Sequence, residues 1–155
     1  MVAVARPWLV GVTDQEANVS NTLRGFVALV AGFGVAAGIV YLLNELARQV
    51  TMPPGVDATN AAQVKAALER GEFPFAALAL VLCGWLVAAY AGSRIALRFG
   101  SGRWPVVAFT VLFTVLVIVR LSALPNPVWM WIGGAIGAPL VSLGAAGETI
   151  SVPKL

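Results

Sequence analysis

Four apolar stretches alternate with polar links along this chain and fill about half of its 155 residues. They cover residues 23–43, 74–91, 105–124 and 128–143, and each carries at most one charged residue. A helix needs about 20 apolar residues to cross a hydrocarbon layer of ~30 Å. Because lipid offers the backbone no hydrogen bonds, spanning segments of this kind form helices. The pattern predicts an all-α fold in which residues 23–144 form a four-transmembrane-helix bundle, residues 1–22 an N-terminal tail and residues 145–155 a C-terminal tail.

The link between the first two stretches, residues 44–73, contains a second pattern. Asn60 followed by Gln63 has the form of a capping box, which marks the start of a helix. The apolar residues that follow share one helical face, at Val64, Ala67 and Leu68. We therefore predict a short amphipathic helix from about residue 61 to residue 70, lying against the bundle or the bilayer surface.

Small residues recur at every fourth position in three of the stretches. This spacing lets helix backbones approach closely, which is how helices associate inside lipid. The pair Gly34 and Gly38 forms a literal GxxxG motif. The predicted helix-packing positions are Ala28, Gly32, Gly34, Ala36 and Gly38 in the first stretch, Gly84, Ala88 and Gly92 in the second, and Gly134 and Ala138 in the fourth.

The basic residues near the ends of the stretches predict the orientation in the membrane. The turn after the second stretch carries Arg94, Arg98 and Arg103 and no acidic residue, whereas the link 44–73 mixes basic with acidic residues. Short loops rich in arginine and lysine stay in the cytoplasm. We therefore predict a multi-pass protein of the bacterial inner membrane with both termini in the cytoplasm. Tryptophans favour the membrane–water interface, and the predicted anchors are Trp8, Trp104, Trp129 and Trp131.

Composition agrees with a membrane location. The chain is 59% hydrophobic and only 11% charged, whereas a soluble domain carries about 25% charged residues. Its mean hydropathy is +0.88. The formal net charge is +3, but the basic residues are scattered and form no run that would bind nucleic acid. We expect no nucleic-acid partner.

The residue types leave little room for catalysis. The chain has no histidine and a single cysteine, Cys83, which excludes cysteine-rich metal sites and histidine-ligated haem within the chain. No carboxylate lies in the middle of a stretch, which argues against a proton pump. We predict that the protein is not an enzyme and that its own side chains hold no cofactor, and we leave open a lipid or pigment bound at the helix surface.

One pair of charged residues is a candidate functional feature. Arg120 lies near the end of the third stretch, and Glu45 follows the first stretch on the same side of the membrane. A charge in this position is costly unless it pairs or reaches the interface. The sequence permits an ion pair between Glu45 and Arg120 at the outer rim of the bundle, as a gate or substrate handle, but it favours simple anchoring of the helix end.

The layout resembles that of small, functionally uncharacterised bacterial four-span integral membrane proteins. The similar segments are Gly32-Phe33-Gly34, Met52-Pro53-Pro54-Gly55, Ala91–Arg94 and Asn126–Trp131, within residues 23–144. The resemblance implies the topology and brings no activity. Small multidrug transporters share the four-span count, but this chain lacks their membrane-embedded glutamate in the first span.

These observations favour a non-catalytic accessory subunit that packs in a larger membrane complex or against another copy. Three series of small residues exceed what one four-helix bundle needs to bury. Two alternatives remain open. One is a small homo-oligomeric transporter or channel with Arg120 and Glu45 near its mouth. The other is a lipid- or quinone-binding protein with a groove beside the fourth stretch, near Trp131 and Pro139. The expected partners are membrane lipid and other membrane subunits or the protein itself.

Overall fold

The computed structural model describes residues 8–57 and 59–147, with side chains from Asn18 onward. This part of the chain is helical with short connections. The helices are α1 (Trp8–Thr51), α2 (Ala61–Glu69), α3 (Phe75–Phe99), α4 (Trp104–Ala123), α5 (Val128–Ile132) and α6 (Ala138–Gly147), and a π-helical turn, Gly133–Gly137, joins the last two. Four segments are long and apolar enough to cross a membrane, because Val128–Gly147 counts as one span. The predicted all-α fold with four candidate spans is confirmed.

The first helix extends beyond the predicted span at both ends. α1 has 44 residues, which corresponds to about 66 Å at 1.5 Å per residue. A hydrocarbon layer is only ~30 Å thick, so α1 continues into the aqueous phase. Residues 8–22, which the sequence pattern placed in a tail, form the start of this helix.

The helix predicted in the first link is present as α2. The Asn60 side chain accepts hydrogen bonds from the backbone N–H groups of Ala62 and Gln63 at 3.1 and 3.3 Å. The Gln63 side chain accepts from the backbone N–H of Asp57 at 2.9 Å, so it ties the preceding turn to the helix. The apolar face points at the bundle, with Ala67 buried and Val64 and Leu68 half-buried.

The bundle is built around α3. α1 runs antiparallel to α3, since Gly32 lies beside Gly92 while Leu43 lies beside Gly84. α4 packs on α1 and α3, and the fourth span packs on α3 and α4. The core between them contains Trp85, Phe109, Phe113, Leu121 and Met130. The Phe109 ring centroid lies 4.9 Å from that of Phe33 and 5.4 Å from that of Phe113.

The fourth span changes its helical geometry before Pro139. Proline has no backbone N–H, and its ring clashes with the carbonyl group four residues earlier in a regular α-helix. The sequence predicts a kink or loosening here, and the structure has the π-helical turn Gly133–Gly137 just before the proline. The glycine-rich sequence of this turn gives the backbone the freedom to widen.

The two ends of the bundle differ in their side chains. At one end, the Ser101 hydroxyl donates to the Asn21 carbonyl at 2.6 Å and Arg24 donates to the Phe99 carbonyl at 3.1 Å. This end, called here the arginine end, contains Arg24, Arg94, Arg98 and Arg103. The opposite end, called the α2 end, contains α2 and Arg120. The described chain begins and ends on the side of the arginine end.

Candidate functional site

The small residues at four-residue spacing fall into two groups. Those that face the bundle interior are buried: Ala28, Gly32, Ala36, Gly84, Ala88, Gly92, Gly134 and Ala138. Gly34 and Gly38 face outward, and a Cβ added at either would meet no atom within 4 Å. The three inward series are therefore used in packing this bundle, and only the GxxxG pair is left on the surface.

Glu45 pairs with residues of its own helix and not with Arg120. The Arg48 guanidinium donates to the Glu45 carboxylate at 2.8 Å, and the Gln49 amide donates to the same oxygen at 3.0 Å. Residues three and four positions apart are neighbours on one helix face, so these local partners meet Glu45 without any tertiary constraint.

Arg120 is left without a hydrogen-bond or ion-pair partner among the described residues. It lies three residues before the end of α4, about 5 Å along the helix axis. Its side chain is exposed, and the half-buried amide of Asn44 on α1 lines the same cavities. Arg120 is thus a cation near the end of a spanning helix, with a neutral hydrogen-bonding group nearby.

A groove of about 260 Å³ lies between α1 and α4. Its rim includes Ala37 and Leu116, which are exposed, so the groove opens at the side of the bundle where lipid would lie. The lining is apolar except at the α2 end, where Asn44 and Arg120 contribute polar groups. We call it the lateral groove, and its lining residues are Phe33, Ala36, Ala37, Val40, Asn44, Trp85, Phe113, Leu116, Val117 and Arg120.

A second cavity of about 240 Å³ lies beneath α2, enclosed by the adjoining ends of α1, α3, α4 and α5. We call it the α2 recess. Its walls are mostly apolar, with Ala77, Val81 and Met130 among the deeper residues and Val64 and Leu68 of α2 forming its roof. Phe73, in the link between α2 and α3, also lines it. The recess therefore continues the apolar interior of the bundle towards the short surface helix.

The lateral groove and the α2 recess meet at three residues. Asn44, Trp85 and Arg120 line both cavities. Trp85 is buried and contributes an apolar wall to each cavity, and Asn44 and Arg120 are the two polar side chains that both cavities share. The sequence indicated Arg120 as a candidate, but it gave no signal that Trp85 lines two cavities, because this depends on how α1 and α4 approach α3.

The groove predicted beside the fourth span, near Trp131 and Pro139, is distinct from these two cavities. Neither the lateral groove nor the α2 recess is lined by Trp131 or Pro139. Trp131 is half-buried against the bundle core, and the Trp129 ring lies 5.0 Å from the Phe75 ring. The tryptophans at the start of the fourth span are thus used in packing, and a third cavity, of about 330 Å³, lies beside the other end of the same span at Leu143, Ala146 and Gly147.

The arginine end carries the predicted topology charges. Arg98 and Arg103 are exposed, whereas Arg94 is half-buried and donates to the Ala145 carbonyl at 3.3 Å. Trp104 is 42% exposed, and its ring lies over Gly25, where an added Cβ would fall 2.2 Å from the indole. The side chain of Trp8 lies outside the described residues. The described arginines thus form a basic surface around the turn between α3 and α4.

Comparisons with protein-family models, curated proteins and solved structures gave no match to this chain. Within residues 8–57 and 59–147, no three histidine, cysteine, aspartate or glutamate side chains are grouped so as to hold a metal ion. The cavities and Arg120 are therefore the features from which a function can be proposed.

Proposed function

We propose that this is a non-catalytic membrane protein that binds an anionic membrane lipid, with a hydrocarbon chain in the lateral groove and the headgroup at Arg120. The observation that carries the proposal is an arginine with no partner in the described structure, at the polar end of an apolar groove that opens sideways. This is the lipid-binding alternative from the sequence, moved to a different face of the bundle.

The guanidinium group of Arg120 favours an anionic headgroup that contains phosphate. A cation within a spanning helix is costly unless it is paired or reaches the interface. A guanidinium group matches phosphate geometry with two parallel hydrogen bonds, and such charge-assisted bonds are the stronger ones. Asn44 adds an amide that can donate to a phosphate or ester oxygen. An anionic phospholipid supplies the missing partner at the depth where Arg120 lies.

The basic residues set the leaflet from which the lipid comes. We propose that the arginine end faces the cytoplasm of a bacterial cell, because short arginine-rich turns are retained there. The α2 end, with acidic residues that include Glu45, Asp57 and Glu72, then faces away from the cytoplasm. In this orientation the lateral groove takes its lipid from the outer leaflet of the inner membrane.

The test is lipid binding to the purified full chain by native mass spectrometry from mild detergent. We expect phosphatidylglycerol to bind in preference to phosphatidylcholine, and Arg120→Ala to reduce the affinity for phosphatidylglycerol about tenfold, since a hydrogen bond to a charged group contributes about 1.5–3 kcal/mol. Arg98→Ala, which removes an exposed charge at the opposite end, is the matched control. Equal losses of affinity for phosphatidylglycerol in both variants would show that only the net charge matters, which would contradict the proposal.

A second candidate function is the accessory subunit that the sequence favours. The observation that supports it is the outward-facing pair Gly34 and Gly38, which leaves open space on the lipid-facing side of α1. This surface suits close approach of another helix. Cross-linking in membranes tests it: Gly34→Leu removes the cross-linked species if α1 is the interface, whereas Gly144→Leu, also exposed with no atom near its Cβ position, leaves it unchanged.

A further inference from the structure

The lateral groove and the α2 recess share one polar rim, and this arrangement specifies the kind of lipid. We infer that the ligand has two hydrocarbon chains, one lying in the lateral groove and one in the α2 recess, with its anionic headgroup at Arg120. This inference rests on the proposed function and names the class of lipid that the same site takes. The inference follows from two observations. Most polar side chains of the recess are already hydrogen-bonded within the chain, and Trp85 lines both cavities together with Asn44 and Arg120.

The polar side chains at the α2 recess are mostly occupied by other parts of the chain. Arg48 is paired with Glu45, the Thr51 hydroxyl donates to the Ala47 carbonyl, and the Asn126 amide donates to the carbonyl groups of Leu121 and Leu124 at 3.1 Å each. The remaining lining is apolar. The recess therefore suits a hydrocarbon chain better than a second polar headgroup.

The groups left for a headgroup lie between the two cavities. The side chains of Arg120 and Asn44 have no hydrogen-bond or ion-pair partner among the described residues, and both line the groove and the recess. A headgroup bound there is next to both apolar spaces, since the residues that hold it line both. A lipid with one chain fills only one of these spaces, whereas a lipid with two chains fills both.

The roof of the α2 recess is formed by side chains and not by close helix packing. α2 does not pack closely on another described helix, and its Val64 and Leu68 side chains line the recess. A hydrocarbon chain in the recess makes dispersion contacts with α2, Ala77 and Met130. The tether to the bound headgroup raises the local concentration of this second chain.

The experiment compares two lipids with the same headgroup. The full chain is offered equimolar phosphatidylglycerol and lyso-phosphatidylglycerol in mild detergent, and the bound ratio is read by native mass spectrometry. We expect the wild type to prefer the two-chain lipid by about tenfold. Val64→Trp, which fills the recess from its roof, lowers this ratio towards one and leaves the affinity for lyso-phosphatidylglycerol unchanged.

The matched control is Ala62→Trp, an equally large addition on the exposed face of the same helix, and it retains the wild-type ratio. Ala77→Leu fills the same recess from α3 and is expected to lower the ratio in the same way. This second variant keeps the test decisive if Val64→Trp does not fold. Equal binding of the two lipids by the wild type would overturn the two-chain inference and leave the headgroup site intact. Loss of the preference for phosphatidylglycerol over phosphatidylcholine, with no effect of Arg120→Ala, would instead overturn the proposed function.

Discussion

Gly32 of α1 and Gly92 of α3 face each other at backbone contact. A Cβ added to Gly32 would lie 2.7 Å from the Gly92 carbonyl oxygen, and a Cβ added to Gly92 would lie 2.9 Å from the Gly32 carbonyl oxygen. The relationship is reciprocal, so neither position accepts a side chain without movement of a helix. Since α1 and α4 both pack on α3, this contact helps to fix the width of the lateral groove.

Replacement of Gly32 tests that contact. Gly32→Leu forces α1 away from α3, and we expect a loss of stability of about 1–3 kcal/mol, the usual cost of overpacking a core. Gly34→Leu, two residues along and facing open space, is expected to leave the stability of the isolated protein almost unchanged. The measurement is reversible unfolding in detergent mixtures. Similar losses for the two variants would mean that α1 and α3 do not approach as described.

The cap of α2 can be removed by changing Asn60, a residue that lines neither the lateral groove nor the α2 recess. Asn60→Ala leaves the backbone N–H groups of Ala62 and Gln63 without their side-chain acceptor, at a cost of about 1 kcal/mol. We expect faster hydrogen exchange across α2. Asn60→Ser keeps a capping oxygen and is expected to exchange almost as slowly as the wild type. If Asn60→Ala does not change the exchange, α2 is not held by this cap.

The turn before α2 has a titratable group with a defined partner. The Thr59 hydroxyl and then its backbone N–H, at 2.7 and 2.8 Å from the Asp57 carboxylate, hold the pKa of Asp57 below its ordinary value of 3.8. A carboxyl group with a lowered pKa stabilises the fold above its unfolded pKa, and this contribution is lost as the pH falls through the folded value. The turn should therefore loosen only in strong acid.

A carboxyl-carbon NMR titration in detergent measures this pKa directly. We expect the Asp57 midpoint to lie below 3.8, and Thr59→Ala to raise it towards that value, since the hydroxyl is the larger cause. The backbone hydrogen bond remains in the variant, so part of the lowering persists. An unchanged midpoint in Thr59→Ala would show that the hydroxyl does not bind the carboxylate.

The orientation is tested by labelling single cysteines from outside the cell. In a Cys83→Ala background, Ser101→Cys at the arginine end should react only after the membrane is permeabilised, whereas Thr59→Cys beside α2 should react in intact cells. The physical reason is the retention of short arginine-rich turns in the cytoplasm. The reverse labelling pattern would place the lateral groove in the inner leaflet.

The span count and α2 were predictable because they depend on local patterns. Apolar runs of sufficient length require helices in lipid, and Asn60 with Gln63 marks a helix start. The Glu45–Arg48 pair could also have been predicted from the sequence, because residues three positions apart are neighbours on one helix face. The predicted span ended at residue 43, where polar residues begin, although α1 continues through them to Thr51. If the first helix had been predicted to continue to Thr51, Glu45 would have been expected to pair with Arg48 on the same helix.

The cavities could not be predicted in this way. The lateral groove exists because α1 and α4 contact at Phe33 and Phe109 but leave a gap nearer the α2 end, and no local pattern encodes such a gap. The outward direction of Gly34 and Gly38 has the same origin. Both small-residue series of α1 fit close packing, and the tertiary arrangement uses only the one that contains Gly32.

The most direct test of the account is an NMR titration of the Arg120 guanidinium resonance with phosphatidylglycerol in mixed micelles. We expect a saturating shift of the Arg120 Nε–Hε signal, with lipid-chain contacts to Phe113 and Leu116 in the lateral groove and a much smaller effect on Arg98. A shift of Arg98 and Arg120 to the same extent, without chain contacts in the groove, would contradict a specific lipid site.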